Sequence, residues 1–212
     1  MLTLKSGNAD FSSFKPTSLI FIILFIGFGI KAGFVPFHTW LPKAHPAAPS
    51  HVSGIMSGVM IKTGIYGILR ILSLMSIPSL GISYFVLGIS VVSALFGVLY
   101  AIAQHDLKRL LAYHSVENIG IIGIGIGVGM LGLAYHNNLV AILGFSGGIL
   151  HILNHSIFKE LLFFGAGAVY NKTHTKNIEK LGGLIKKMPY TAAFFLLGSG
   201  AITGLPRNLR NF

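Results

Sequence analysis

Long apolar blocks alternate with short polar ones along almost the whole chain. The first block, about residues 17–41, is interrupted by Gly27, Gly29, Lys31, Gly33 and Pro36, a pattern that predicts a broken helix. Irregular backbone at membrane depth is tolerated where it is buried in protein or lines a wet cavity. The run PKAHPAAP at 42–49 reads as a stiff loop, because each proline fixes its own φ and turns its predecessor away from helix. Ser50 is a candidate N-cap for a second helix over about 51–75. Further helices are predicted over about 81–104, 107–133 and 138–169, the fourth polar in its first half and glycine-rich in its second. Residues 171–188 form a lysine-rich loop, and 189–212 read as an incomplete sixth helix with a divergent end. Several blocks approach or exceed the roughly 18–20 apolar residues that a spanning helix needs. The predicted fold class is all-α and integral to the membrane, with five transmembrane helices in residues 17–170 plus the start of a sixth, the first being broken.

Composition supports lipid as the solvent. Of 212 residues, 53% are hydrophobic and only 10% charged, and mean hydropathy is +0.75, whereas a soluble domain is roughly 25% charged. The net charge of +11 would suggest nucleic acid in a soluble chain, but there is no basic stripe with interleaved aromatics. The excess lies between apolar blocks instead. By alternation one side receives Lys43, Lys108, Arg109, Lys172, Lys176, Lys180, Lys186 and Lys187, and the other Lys5, Lys15 and Arg70. The positive-inside rule makes the first side cytoplasmic and puts Met1 outside. With no cysteine, disulfides, Fe–S clusters and thiol catalysis are excluded within this chain. The polar segment 1–16 lacks the apolar stretch and cleavage site of a signal peptide.

Against that apolar background stand five ionisable residues: Lys31, Lys62, His151, His155 and Lys159. A lysine at the bilayer centre costs about 2.5–3.5 kcal/mol on insertion scales, and the usual uses of such residues are proton relay, ion conduction and counter-ion pairing. His151, His155 and Lys159 recur every four residues and fall along one helix face, rising about 6 Å per step. That spacing suits a proton wire with waters between the groups, and Asn154 on the flank is placed to orient one. Two other readings stay open: interhelical hydrogen bonds with Lys159 snorkelling, and a zinc site, which lacks an evident third ligand and a nearby base. Lys62 is a dozen residues from either helix end, too far to snorkel. Lys31 sits at the break, where unwound carbonyls and a half-helix C-terminus would stabilise its charge; a purely structural role there is equally open.

Glu160 projects about 100° away from Lys159 and is a candidate second acid or interhelical partner. Glu117, three residues after His114, shares a face with it, as a local pair or a proton entry point. His38, His45, His51, His105 and His136 read as interfacial, and Trp40 as part of the aromatic belt. The glycines of Gly123-Ile-Gly125-Ile-Gly127-Val-Gly129 lack the strand–turn–helix context of a nucleotide loop and suit close helix packing, as do Gly54 and Gly58. No catalytic redox residue and no metal-ligand set is evident.

Taken in order, KAGFVPFHTWLPKAHPAAP (31–49), MIKTGIYGILR (60–70), DLKRLLAY (106–113), SVENIG (115–120) and HILNHSIFKELLFFGAG (151–167) resemble the antiporter-like membrane subunits of complex I and its relatives. The variants HPAAPSHVSG, LLAYHSVENIG and NHSIFK most resemble the large membrane subunit of formate hydrogenlyase and other group-four nickel–iron hydrogenases. The resemblance implies an inverted-repeat bundle whose half-channels meet along a central hydrophilic axis. It implies a proton-relay role for Lys31, Lys62, His151, His155 and Lys159, with Glu117, Glu160 and His114 as accessories.

The resemblance also implies partner subunits, peripheral and membrane-bound, that carry the redox cofactors: Fe–S clusters with nickel–iron or flavin. No cofactor is expected in this chain, and the implied location is a prokaryotic cytoplasmic membrane. The function implied is that of a membrane subunit in a redox-driven proton-translocating complex. The alternatives are a non-pumping scaffold for a hydrogenase module and a subunit of a multi-subunit sodium/proton antiporter. The first repeat and the next broken helix of such subunits are missing, and the end diverges after Pro206, so the chain reads as an internal fragment.

Overall fold

The computed structural model describes residues 17–75 and 78–203; the polar segment 1–16, with Lys5 and Lys15, and the divergent end after Pro206 lie outside the described residues. Five helical segments are long and apolar enough to cross a bilayer: Ser18–Ala47, Ser50–Leu72, Leu80–Ile102, Leu107–Ala134 and Asn138–Thr173. Among the described residues the only β-type pairing is an isolated bridge between Asp106 and Asn177.

The first span is broken, for reasons visible residue by residue. Helix α1 (Thr17–Ala32) stops where Gly33 takes φ of 90°, a conformation that L side chains rarely adopt. Pro36 cannot donate a backbone hydrogen bond, and a 3-10 turn, Phe37–Trp40, follows. The polar groups released by the break find partners within the protein. Val35 N donates to Ser93 Oγ at 2.9 Å, and the Trp40 indole nitrogen donates to Ile30 O at 2.9 Å. Trp40 thus caps α1 from within the chain, besides any contact with the interface.

The proline-rich run is not a loop: Leu41–Ala47 form a short helix, α2. Pro42 lies in its first turn, where a missing N–H costs nothing, and extended backbone at Ala48 before Pro49 ends it. Its carbonyl end is bound by side chains from three other segments. Ser53 Oγ donates to His45 O at 3.0 Å, Lys176 Nζ to Pro46 O at 2.6 Å and Lys108 Nζ to Ala48 O at 2.9 Å. Cations at a helix C-terminus are favoured by the macrodipole.

Ser50 is the first residue of the next helix rather than its cap, since Pro49 holds the cap position and no side chain bonds there. That second span is α3 (Ser50–Ile55), a π segment (Met56–Met60) and α4 (Ile61–Leu72). Asp106, Ser79 and Asn137 do cap their helices, α6 (Leu107–Ala134), α5 (Leu80–Ile102) and α7 (Asn138–Thr173), each side chain accepting from a backbone N–H of the first turn. Helix α7 runs through Thr173 and at 1.5 Å per residue is about 54 Å long, well beyond a hydrocarbon core of about 30 Å. Short helices α8 (Leu184–Lys187) and α9 (Pro189–Ile202) follow.

Helix α6 lies at the centre, between α5 on one side and α7 on the other. Its glycines serve both faces. A Cβ at Gly120 would lie 2.7 Å from Ser90 O and 2.8 Å from Ala94 Cα on α5, while one at Gly125 would lie 2.8 Å from Gly148 Cα on α7. Close approach without side chains is how helices associate where lipid removes the hydrophobic driving force. Helix α1 packs on α4 in the same way, with Phe28 and Ala32 over Gly64 and Gly67. Phe21, Phe25, Phe34, Ile65 and Ile122 are among the residues filling the core between α1, α4, α5 and α6. At one end of the bundle, Leu107 N donates to Lys176 O and Ile178 N to His105 O, both at 2.9 Å, so the α5–α6 turn and the lysine-rich segment after α7 meet there.

Gly120→Ala should therefore cost about 1–3 kcal/mol by overpacking against α5. Gly147→Ala, where nothing lies within 4 Å, should be neutral or stabilising by up to about 1 kcal/mol. Thermal unfolding of the full-length subunit in detergent, comparing both variants, measures the difference.

Candidate functional site

Lys62 lies two residues beyond the π segment and is buried. Side chains on a helix lean towards its N-terminus, so the lysine stem runs back over residues 57–59. A π turn shifts the backbone hydrogen bonds by one residue and disturbs the regular ladder. There the Lys62 ammonium donates to Ser57 O, and it also meets His155 Nδ1. His155 is fully buried on α7, and among the described residues its Nε2 has no partner. Its ring stands edge-on to Phe158, centroids 5.3 Å apart at 88°.

Lys159, one turn further along α7, is also fully buried and donates to Leu111 O at 2.7 Å. It lies fourteen residues before Thr173, so its ammonium is held by α6 rather than delivered to the interface. Ser115 Oγ lies 3.1 Å from the same Leu111 carbonyl and 2.8 Å from Ser57 Oγ. Lys159, Leu111, Ser115, Ser57 and Lys62 therefore form a chain of polar groups crossing from α7 through α6 to the second span.

A second set of contacts leaves His151. Its Nε2 is 2.8 Å from Asn118 Oδ1, Asn118 Nδ2 donates to His114 O at 2.7 Å, and His114 Nδ1 is 2.5 Å from Glu117 Oε2. The His151 and His155 rings are 6.3 Å apart by their centroids.

The structure brings Lys62 directly onto His155, holds Lys159 on the Leu111 carbonyl of α6, and joins His151 through Asn118 to the backbone carbonyl of His114, whose ring pairs with Glu117. Lys31 stands apart: it is exposed on the surface of the chain, and the freed carbonyl of Ile30 is taken by Trp40. Asn154 is also exposed. Glu160 is half-buried and packs against Gly58 of the π segment.

His45 is not interfacial. It is fully buried, because α2 folds into the bundle, and its ring stacks on Phe163 with centroids 4.7 Å apart at 19°. His38 is half-buried, whereas His51, His105 and His136 are exposed. His105 pairs with Glu179 at 2.9 Å across the loops at the lysine-rich end.

Ser57, Ser115 and Asn118 are the connecting residues that patterning did not single out; serine and asparagine in an apolar helix give too weak a signal alone. Lys108, counted among the cytoplasmic-side charges, is 4% exposed and binds α2. Among the described residues no group of three His, Asp or Glu is gathered to hold a metal ion.

This geometry can be set beside known proteins. The family described as NADH:quinone oxidoreductase/Mrp antiporter, transmembrane, matches residues 3–212. Hydrogenase-4 component B of Escherichia coli K12 is 50% identical over 212 residues, covering 95% of this chain and 32% of that protein. Formate hydrogenlyase subunit 3 of the same strain is 44% identical over 189 residues, covering 88% and 31%. The structure of the Mrp complex from Dietzia sp. DQ12-45-1b superposes with a TM-score of 0.80 at 26% identity, covering 93% of this chain and 35% of that one. The chain spans about a third of the length of the curated relatives it matches. The chain is an integral membrane protein that belongs to the NADH:quinone oxidoreductase/Mrp antiporter transmembrane family.

Proposed function

We propose that this chain is part of a membrane subunit of a redox-driven proton-translocating complex, and that protons pass along its buried lysines and histidines. The observation that carries this reading is the contact between the Lys62 ammonium and His155 Nδ1 inside an apolar bundle. Ionisable groups are costly at that depth and are characteristically part of ion or proton pathways. A lysine that donates to a histidine nitrogen has an acceptor for its proton already in reach. Lys159 and Ser115 Oγ both donate to the Leu111 carbonyl and Asn118 Nδ2 donates to the His114 backbone carbonyl, acceptors that hand no proton on. These contacts therefore position Lys159 and His151 for transfer through intervening waters rather than form the path themselves. Lys31 enters this reading as a residue that faces outward, available to a neighbouring helix of the longer subunit.

The membrane is the bacterial cytoplasmic membrane, with the lysine-rich end inside by the positive-inside rule; the Escherichia coli relatives support this. The partners are further membrane subunits and peripheral subunits holding Fe–S clusters with nickel–iron or flavin.

In the full-length subunit within its complex, Lys62→Ala should reduce proton translocation at least tenfold, roughly the lower range for loss of a proton-transfer group. Lys62→Arg should be equally impaired, because a guanidinium keeps its charge and cannot release a proton. Proton uptake into proteoliposomes, at matched assembly on native gels, is the measurement. Translocation retained in either variant removes Lys62 from the relay, and retention in both favours a scaffold role for this subunit, with translocation carried elsewhere in the complex.

Asn118→Leu, nearly isosteric, removes the hydrogen bond that positions His151 from α6. Translocation should fall by about tenfold if the position of His151 serves the relay, with normal assembly. An unchanged rate assigns those groups to helix packing.

A further inference from the structure

Glu160 is a carboxylate at membrane depth that the relay does not use. It is half-buried on α7 next to Lys159, but it faces the π segment of the second span. A Cβ at Gly58 would lie 2.7 Å from Glu160 Cγ and 2.9 Å from its Cδ, so the glutamate fills the space that Gly58 leaves open. Ser156 Oγ, one turn back on α7, lies 2.6 Å from Gly58 O and fixes α7 against this same residue. Gly58 is four residues before Lys62, and the Lys62 stem leans back over that turn. The carboxylate and the ammonium are therefore directed to one turn of one helix. Yet the ion pairs among the described residues are His105–Glu179 and His114–Glu117; Lys62 is on Ser57 O and His155 instead.

We propose that Glu160 is a positioning residue for Lys62: its ionised carboxylate offers the ammonium a second seat at Gly58, so that the lysine alternates between Glu160 and His155. A lysine side chain has four rotatable carbons and a compact charge, which suits movement between two acceptors. On the Glu160 side the ammonium is stabilised as a cation. On the His155 side its N–H bond breaks as a bond forms to Nδ1, leaving a neutral amine and a protonated histidine. Glu160 stays ionised throughout and takes no proton. The absence of a side chain at Gly58 keeps the second seat open.

The inference rests on the proposed relay, and its test separates the two. Proton translocation is measured in the intact complex for Glu160→Gln, Glu160→Asp and Gly58→Ala, with Lys62→Ala as reference. Glutamine keeps the shape and hydrogen-bonding reach of glutamate and loses only the charge. Glu160→Gln should reduce the rate about tenfold, the effect of losing one strong charge interaction, and Glu160→Asp should restore part of it. Gly58→Ala, which displaces the carboxylate but keeps its charge, should reduce the rate several-fold and decides the matter if Glu160→Gln fails to assemble. A Glu160→Gln rate within twofold of native overturns the proposal, as do equal losses in Gln and Asp or a native rate in Gly58→Ala. If those hold while Lys62→Ala abolishes translocation, the relay stands and only the role of Glu160 falls. If Lys62→Ala translocates normally, the relay itself falls.

Discussion

An ammonium group inside an apolar bundle must be solvated by the protein, and this constraint organises the second span and its neighbours. Lys62 cannot reach an interface, so its protons need acceptors at membrane depth. A regular α-helix has few to offer, because its carbonyls are occupied by its own N–H groups. The π segment Met56–Met60 changes that locally, and the Ser57 carbonyl accepts from Lys62. Lys159 meets the same demand with the Leu111 carbonyl of α6, whose neighbourhood is already polar through Ser115. Each buried lysine is thus matched to a backbone carbonyl on an adjacent turn or helix.

Such short links require that helix axes come close, and the glycines provide this. Gly54 and Gly58 bring α7 against the second span, with the Phe164 ring and the Glu160 side chain in the spaces they leave. Gly120, Gly125, Gly129 and Gly132 let α6 approach α5 and α7 almost backbone to backbone. The same economy governs the broken first span. Its interruption exposes N–H and C=O groups that lipid cannot satisfy, and Trp40 from within the span and Ser93, Lys108 and Lys176 from elsewhere satisfy them. Three of those four come from segments far away in sequence, so the break is stable only in the assembled bundle.

This explains what patterning could and could not read. Block length fixed the number of crossing segments, because bilayer thickness sets a minimum of apolar residues. Gly33 and Pro36 marked the break, and the four-residue spacing of His151, His155 and Lys159 placed them on one face. Patterning misread 42–49 because local proline rules take no account of distant lysines that hold the end of a short helix. It put His45 at the interface for the same reason: once α2 folds inward, its histidine is carried onto Phe163. The π segment left no mark, since MSGVM has no residue that forbids an ordinary turn; its cause is tertiary. Lys31 was grouped with the buried charges by order along the chain, yet order does not tell which face of a broken helix is covered.

The two polar branches share α6 but do not merge on it. Leu111 and Ser115 face Lys159 and Ser57, while His114, Glu117 and Asn118 lead to His151. Between them the His151 and His155 rings are 6.3 Å apart, and Phe158 lies against the edge of His155. In the proposed relay this gap is the step that direct hydrogen bonds do not span. A proton arriving on His155 Nδ1 from Lys62 has its onward exit at Nε2, the nitrogen without a partner among the described residues. Passage to His151 therefore needs a bridging water or a ring rotation.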